Sequence, residues 1–505
     1  MKGLKWVGAL MVLIPSLLWG WGNDVIVDTL RSSAGQYPVA YDIVWPTDTN
    51  MIVAVAYNVN NADGYINLYQ SRDNGQNWTL RFPIYWTGHK VKDVRLAYDN
   101  ENLFLLWLGA DGYLYYLVYD VELTAYLGGA TVVIPPDSAI AGFIETITRG
   151  SDKYIYLIAN TRNASYDSLK VFRSINYAAF QRVYTTFWGN STFYRTYRDL
   201  DLRLQGDTII MYATYARTDR STNDNDVYCY VFKDTSNIFE FSYLLSIASE
   251  SSIDETNPSL SVGPGGYGIA IYQVGNDLKY AFSTDYFTTF TTYDFPYNTA
   301  DSTEWAPYTK WWWVPPYLRG FNTVFLRGYN VYFTESSCSG TSMIWYDPVL
   351  VSDQRPSSFH IGNLGNYNYY PRLSNRSGLA IPAIIWPYDF WHFVPPYLFL
   401  YDSTYILVDN MNAVGVNETP TSSEVLNFVV TSTSANKIRL QFQNPINDKV
   451  TGNLISVDGR ILKSFEIPEG SEEYEIKTAG LSSGVYFIQI TGKTARGTKK
   501  IIITQ

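Results

Sequence analysis

Only two cysteines, Cys229 and Cys338, occur in 505 residues. A chain of that size cannot be a disulfide scaffold and must be held by its core. One bridge between the two stays open, but Cys229 falls mid-strand and Cys338 in a loop two repeats further on, so buried free thiols are expected. The histidines, His89, His360 and His392, are far apart, and neither a zinc cluster nor a Ser-His-Asp triad has support from them. No glycine-rich phosphate cradle precedes a helix, so the usual nucleotide enzymes are set aside and no cofactor is expected. Charged residues make up only 17% and the net charge is −10, with no basic stripe between the aromatics, which sets nucleic acid aside. Long uninterrupted apolar runs are lacking after residue 18, so no transmembrane segment is expected in the mature chain.

What the chain has in abundance is aromatic residues, 17% of the total, with 44 tyrosines. Disorder combines few aromatics with high charge, so this composition is globular and rich in β-formers. The length exceeds one ordinary core, so two folded domains are expected. From residue 425 onward ten Lys and Arg stand against seven carboxylates, so the acidity belongs to the rest of the chain. At the start, Lys2 and Lys5 precede the apolar run Val7 to Leu18, the layout of a secretory signal. Gly20 and Gly22 suit cleavage before Asn23, so residues 1–22 read as a signal peptide, and no nearby cysteine offers a lipid anchor.

Between residues 23 and 408 a repeat emerges. Apolar strands recur at 51–57, 102–108, 154–160, 208–215, 267–274, 329–335 and 379–386, each followed by a second strand at 66–71, 113–119, 169–174, 227–232, 278–283, 343–346 and 397–401. Equivalent points from Leu68 to Leu398 recur roughly every 55 residues, room for four strands and their loops. Several repeats open with an alternating strand, as in YPVAYDIV (37–44), DVRLAYD (93–99), DLDLRLQ (199–205), NPSLSVG (257–263) and YPRLSN (370–375). The pattern predicts an all-β chain, a β-propeller of about seven four-stranded blades, with six also fitting; a solenoid or two sandwiches are the alternatives. Closing a ring removes open sheet edges, and Asp24–Leu30 and Thr404–Asp409 are the candidates for pairing across the seam.

In the first repeat, Ser71-Arg72-Asp73-Asn74-Gly75-Gln76-Asn77-Trp78 follows the third strand. Asp73 can accept hydrogen bonds from turn amides, Gly75 can take positive φ and Trp78 can cover the turn. The string resembles the Asp-box of sialidase-like propellers, with Ser71, Asp73, Gly75 and Trp78 as the matching, structural positions. Weaker echoes are Ser283-Thr284-Asp285 with Phe290, and Ser174-Ile175-Asn176 with Phe180. The resemblance implies a sialidase-like propeller over about 24–408, but the arginine triad, Tyr/Glu pair and F/Y-R-I-P signature of sialidases cannot be assigned, so sialidase activity is disfavoured. Glycoside hydrolysis needs two carboxylates across a cleft; Asp199, Asp201, Asp254, Glu255 and Glu304 are expected to be solvated or turn-capping. The run Asp219–Asp226 lacks the glycine and distal Glu of a calcium loop and reads as solvated, so no metal is expected. Aromatics at Trp305, Trp311, Trp312, Trp313 and Trp391 could stack on a ligand, although packing between blades is the expectation favoured here.

Residues 409–424 are polar and strand-poor and read as a linker. Seven short alternating strands follow over 425–505, predicting a small β-sandwich. Asn444-Pro445 after the second strand, Asp458-Gly459-Arg460 in a hairpin, Leu481 with Gly484-Val485-Tyr486 entering the penultimate strand, and Lys499-Lys500 before the last one resemble the type A C-terminal sorting domain of the type IX secretion system. That resemblance implies the outer-membrane translocon as partner, passage through the periplasm, and a secreted or cell-surface product. The functional expectation is an exported propeller that binds a glycan or protein without catalysis; a glycoside hydrolase and a structural surface protein are the alternatives.

Overall fold

The computed structural model describes residues 19–21 and 25–503 apart from short internal stretches, the longest being 353–370 and 414–423. The chain divides into two compact units, one of Asp24–Asn410 and one of Met1–Asn23 with Met411–Gln505.

The larger unit is a propeller of seven blades. Six are up-and-down sheets whose first strands are Gln36–Thr47, Val91–Tyr98, Ser138–Arg149, Phe193–Gln205, Glu255–Val262 and Glu304–Val314. The seventh joins Arg372–Asn375, Pro382–Val394 and Leu398–Ala413 to Val25–Arg31, which pairs antiparallel with the last of these, Val25 opposite Val408 and Leu30 opposite Thr404. The seam therefore forms where two strands widely separated in sequence were expected to meet. The first strands line the axis, each against the next, with Arg372–Asn375 against Gln36–Thr47 closing the circle.

Burial follows from that stacking. A second strand has a blade on either face, so Asn50–Val59 is buried almost throughout, whereas the outer strand Thr79–Trp86 alternates exposed and half-buried residues. The apolar core is a series of layers, each between neighbouring blades. Val39, Ile52 and Leu68 of the first blade pack with Leu96, Leu105 and Trp107 of the second, and Tyr156 and Val171 of the third with Tyr197, Met211 and Phe232 of the fourth.

One edge of every first strand has no strand beside it, so its amides need other acceptors. Side chains of the preceding blade supply them. Asp42 Oδ2 accepts from Leu96 N (2.8 Å), Asp199 Oδ2 from Leu260 N (3.1 Å), and Asp201 Oδ2 from Val262 N (2.6 Å). Ser259 Oγ accepts from Thr309 N (3.1 Å), Ser261 Oγ from Trp311 N (2.9 Å), and Ser374 Oγ from Trp45 N across the seam (3.0 Å).

Two expectations are corrected here. The strand at 329–335 was set equivalent to the one at 51–57, which is second in its blade; Asn330–Ser339 is third, because Glu304–Val314 and Leu318–Arg327 precede it. The stretch read as linker begins later, since Leu398–Ala413 remains a strand past residue 409.

In the smaller unit, Trp19–Trp21 pairs with Met411–Ala413, while residues 1–18 of the expected signal peptide lie outside the described residues. Strands at Phe428–Ser434, Lys437–Phe442 and Glu473–Lys477 form one sheet. Glu424–Val425, Val450–Ser456, Ile461–Ile467, Gly484–Thr491 and Ala495–Ile503 form another. Ile438, Leu440 and Ile476 of the first share a core with Leu454, Phe465, Ile488 and Ile490 of the second, an arrangement compatible with the expected sandwich.

Candidate functional site

The mouth of the ring holds a pocket of about 480 Å³ to which all seven axial strands contribute. Its form traces to a defect repeated around the axis. Six first strands carry a register break near the mouth: between Pro38 and Ala40, Val91 and Asp93, Ala139 and Ala141, Tyr197 and Asp199, Thr256 and Ser259, and Trp305 and Tyr308. A bulge leaves residues unpaired and re-aims their side chains. The residues so released, Val39, Lys92, Ile140, Arg198, Pro258 and Pro307 among them, line the pocket.

Proline suits these positions because it has no amide to give to the ladder. Pro258 and Pro307 are released within the break, Pro38 stands just before it, and Pro371 immediately precedes the axial strand of the seventh blade. Asn257 and Ala306, each just before a proline, have φ of 50° and 52°, a region unfavourable for residues bearing Cβ. Such strain persists only where the surroundings impose it.

The lining is cationic. Lys90, Lys92, Arg95, Arg198 and Arg372 stand against one carboxylate, Asp93, together with Asn58, Asn257, Tyr197, Tyr308 and Phe143. Arg95 donates from Nη1 to Asp93 Oδ1 (2.7 Å) and to Val94 O (2.8 Å), and its guanidinium lies over the Phe143 ring. Arg372 lies over the ring of Tyr308 at 4.8 Å.

Beneath this layer the axis is closed. Lys310, two residues beyond Tyr308 on the sixth blade, reaches Glu145 of the third blade, with Nζ 3.2 Å from Oε1. Those blades face one another across the ring, so the pair spans the channel and the pocket is a cup. Burial pushes the carboxyls of Asp93, Glu145 and Asp199 up, against the pull of Arg95 on the first and Lys310 on the other two. Burial opposes the charge on Lys310, yet Tyr308, Glu145, Asp199 and Asp201 around it hold its pKa well above the lysine value. Burial also pushes the Tyr308 phenol up to about 12, so it is not poised as a nucleophile.

The residues singled out from sequence fall elsewhere. Ser71 and Asp73 form the turn after a third strand, at the end of the channel opposite the mouth. Asp73 Oδ1 accepts from Ser71 Oγ (2.8 Å) and Asn77 N (2.9 Å), Gly75 N donates to Ser71 Oγ (2.8 Å), Gly75 has φ of 80°, and Trp78 is half-buried. The echo at Ser283 and Asp285 makes the same set, with Thr289 N on Asp285 Oδ1 (2.9 Å) and Phe287 N on Ser283 Oγ (2.9 Å). The echo at Ser174 does not, because Asn176 accepts from Lys153 N instead. A turn not foreseen, Asp120 holding Thr124 N (2.8 Å) and its hydroxyl (2.6 Å), uses the same spacing.

Of the aromatics, Trp311 and Trp312 are buried, Trp305 is half-buried and donates to Gly328 O (2.9 Å), and Trp313 is exposed. Trp313 lies five residues past Tyr308 on one strand, about 17 Å further down the axis, so it does not share the pocket. The side chains of Trp391, His360 and His392 lie outside the described residues. His89 stacks on Trp86 at 5.0 Å, and both cysteines are free and buried. Asp199, Asp201, Glu255 and Glu304, expected in solvated or capping positions, are buried. The two aspartates stitch axial strands, and Glu304 pairs with Arg327 (2.8 Å). Asp254 is exposed and caps Asn225 N (3.1 Å). No group of three or more metal-ligating residues occurs among the described residues.

In the smaller unit, Asn444, Pro445, Asp458, Gly459, Arg460 and Leu481 lie outside the described residues. Gly484, Val485 and Tyr486 begin the strand Gly484–Thr491. Lys499 and Lys500 do not precede the last strand but lie within it, opposite Ile488 and Phe487. No helix among the described residues is long and apolar enough to cross a membrane.

Comparison with known proteins adds the following. No curated protein sequence matches the chain. Similar solved structures include a lectin from Burkholderia pseudomallei, 10% identical over 73% of this chain and 98% of that one, with a TM-score of 0.46. An intramolecular trans-sialidase from Ruminococcus gnavus is 10% identical over 76% and 96%, with a TM-score of 0.39. A protein of unknown function from Dyadobacter fermentans is 12% identical over 77% and 99%, also with a TM-score of 0.39. The blade count rests on strand pairing and not on these likenesses. Residues 434–504 match the secretion system C-terminal sorting domain, which marks the protein for export to the cell surface or for secretion.

Proposed function

We propose that the propeller is an exported binding module whose axial cup takes an anionic group of a glycan. The observation that carries this reading is the charge reversal at the mouth: five cationic side chains and one carboxylate in a chain of net charge −10. A concave, low-dielectric site of one sign concentrates ligands of the other. A cavity near 480 Å³ suits one or two sugar rings, and the phenol of Tyr308 adds a hydroxyl partner. Binding is favoured over hydrolysis because Asp93 is the one carboxylate in the described lining, and it is engaged with Arg95 and the Val94 amide (2.9 Å). Export is read as passage to the periplasm by the N-terminal signal and across the outer membrane by the C-terminal domain.

Titration calorimetry with uronate-bearing and matched neutral oligosaccharides tests the binding reading. Binding of the anionic set alone, weakened at least tenfold by Arg372→Gln, is expected. Equal binding of neutral glycans, or no binding of either, would overturn it, and release of reducing ends would move the protein to the hydrolases.

A further inference from the structure

The fourth blade stands higher at the mouth than its neighbours. Its first two strands pair for five residues beyond the register break, from Phe193 opposite Asp219 to Tyr197 opposite Tyr215. The corresponding extension is two residues in each neighbouring blade, Ser138 and Ala139 in the third and Glu255 and Thr256 in the fifth. The crest begins directly above the cup, since Thr196, Tyr197 and Arg198 line the pocket.

This crest is rich in arginine held on aromatic rings. Arg195 lies over Trp188 (4.7 Å), Arg217 over Phe193 (4.6 Å) and Tyr228 (4.4 Å), and Arg220 over Tyr194 (4.5 Å). Arg162 of the third blade reaches the other side of Tyr194 (4.3 Å) and donates to Arg195 O (3.1 Å). Rings that hold guanidinium planes leave the N–H edges free to bond.

Carboxylates neutralise part of this set. Asp167 takes Arg162 through Nε (2.7 Å) and Nη2 (3.3 Å), and Asp226 takes Arg217. Arg195 has no such partner. It sits directly opposite Arg217 in the ladder, an arrangement of like charges that costs stability. Its Nε and Nη1 are enclosed without an acceptor, so Nη2 is the donor left to reach outward.

We propose that the crest of the fourth blade is a second subsite, which receives the next residues of an extended polyanionic glycan whose end occupies the axial cup. This rests on the binding reading above and extends it from a single anionic group to a polymer.

Oligogalacturonates of two and six residues, titrated against the full chain by calorimetry, test it. The hexamer is expected to bind at least tenfold tighter than the dimer. Arg195→Gln should remove most of that preference while leaving the dimer affinity unchanged, and Arg195→Lys should keep most of it. Arg372→Gln should weaken both ligands alike. Thermal melts of each variant guard against loss of fold, and the unchanged dimer affinity of Arg195→Gln is itself the control for an intact cup. Equal affinities of dimer and hexamer, or equal weakening of both by Arg195→Gln, overturn the crest subsite while the cup stands. Failure of both oligomers to bind overturns the cup and the crest together.

Discussion

Replacing Lys310 by Met should destabilise the propeller, and replacing Glu145 by Gln in the same chain should restore most of the loss. The pair is close, 3.2 Å, and its side chains are 21% and 32% exposed. Removing one partner of a fully buried ion pair costs roughly 3 to 5 kcal/mol. Partial exposure to the channel screens this, so about 2 kcal/mol is the expected loss for Lys310→Met at pH 7. The loss comes from Glu145, Asp199 and Asp201, which surround the ammonium and would face one another without it. In the double variant Glu145 no longer carries charge, and stability should return to within about 1 kcal/mol of the parent. Urea denaturation followed by tryptophan fluorescence measures both. The pH dependence has a definite sign. The Glu145 carboxyl is already raised by burial, and losing the cation raises it further, so the penalty exists at pH values where the group is ionised and fades as pH falls and it protonates. A single variant as stable as the parent, or a double variant no better than the single, would refute an ion pair closing the axis.

A second pH effect should come from Glu335, which is buried and raised by that burial to about 7. The folded chain keeps the proton to about pH 7 while the unfolded chain releases it near 4.5, so stability falls by up to about 3 kcal/mol as pH rises through that window; Glu335→Gln should flatten the slope in urea titrations at pH 5 and 8. Asp73→Ala and Asp285→Ala should each cost about 1 to 2 kcal/mol, equally in chemical denaturation, because the two turns make the same hydrogen bonds although only one matches the motif in full. Both carboxyls are held low by those bonds despite some burial, so this contribution is present above the ordinary carboxylate range and is lost as pH falls through the lowered value. Deleting residues 425–505 should trap the protein in the periplasm; fractionation that recovers the truncated chain at the surface or in the medium would count against the sorting role.

The propeller was legible because burial of both faces of second and third strands writes unbroken apolar runs. Residues 102–108 and 154–160 could hardly be anything else. The seam was legible for a topological reason, since a ring of sheets has to pair its ends. The sixth blade was misread because its axial strand, Glu304–Val314, carries three consecutive tryptophans and a proline that hide the alternation. Its second strand, Leu318–Arg327, interrupts its apolar residues with Arg319, Gly320 and Asn322. The buried Asp199 and Asp201 looked like surface carboxylates, because sequence does not reveal that axial amides of the next blade lack a strand partner.

The pocket itself left a trace that alternation alone conceals. YPVAY, NPSLS, APYTK and YPRLS each place a proline one to four residues before the axial side chains that stitch or charge the channel: Asp42 after Pro38, Ser259 and Ser261 after Pro258, Lys310 after Pro307, Arg372 after Pro371. A proline at the start of an inner strand is a misfit for a ladder and a natural occupant of a bulge, and a bulge repeated at one height around a ring must open a cavity there. What the prolines cannot convey is sign. The charge of the cup comes from Lys90, Lys92, Arg95, Arg198 and Arg372, drawn from three different places in the chain, and only ring closure brings them together. Of the tryptophans that drew notice as ligand contacts, Trp311 and Trp312 are core packing and Trp313 sits at the far end of the axis. The composition of a propeller thus advertises its interblade layers, whereas its binding chemistry is distributed one or two residues per blade and becomes visible only where the bulges turn those residues inward.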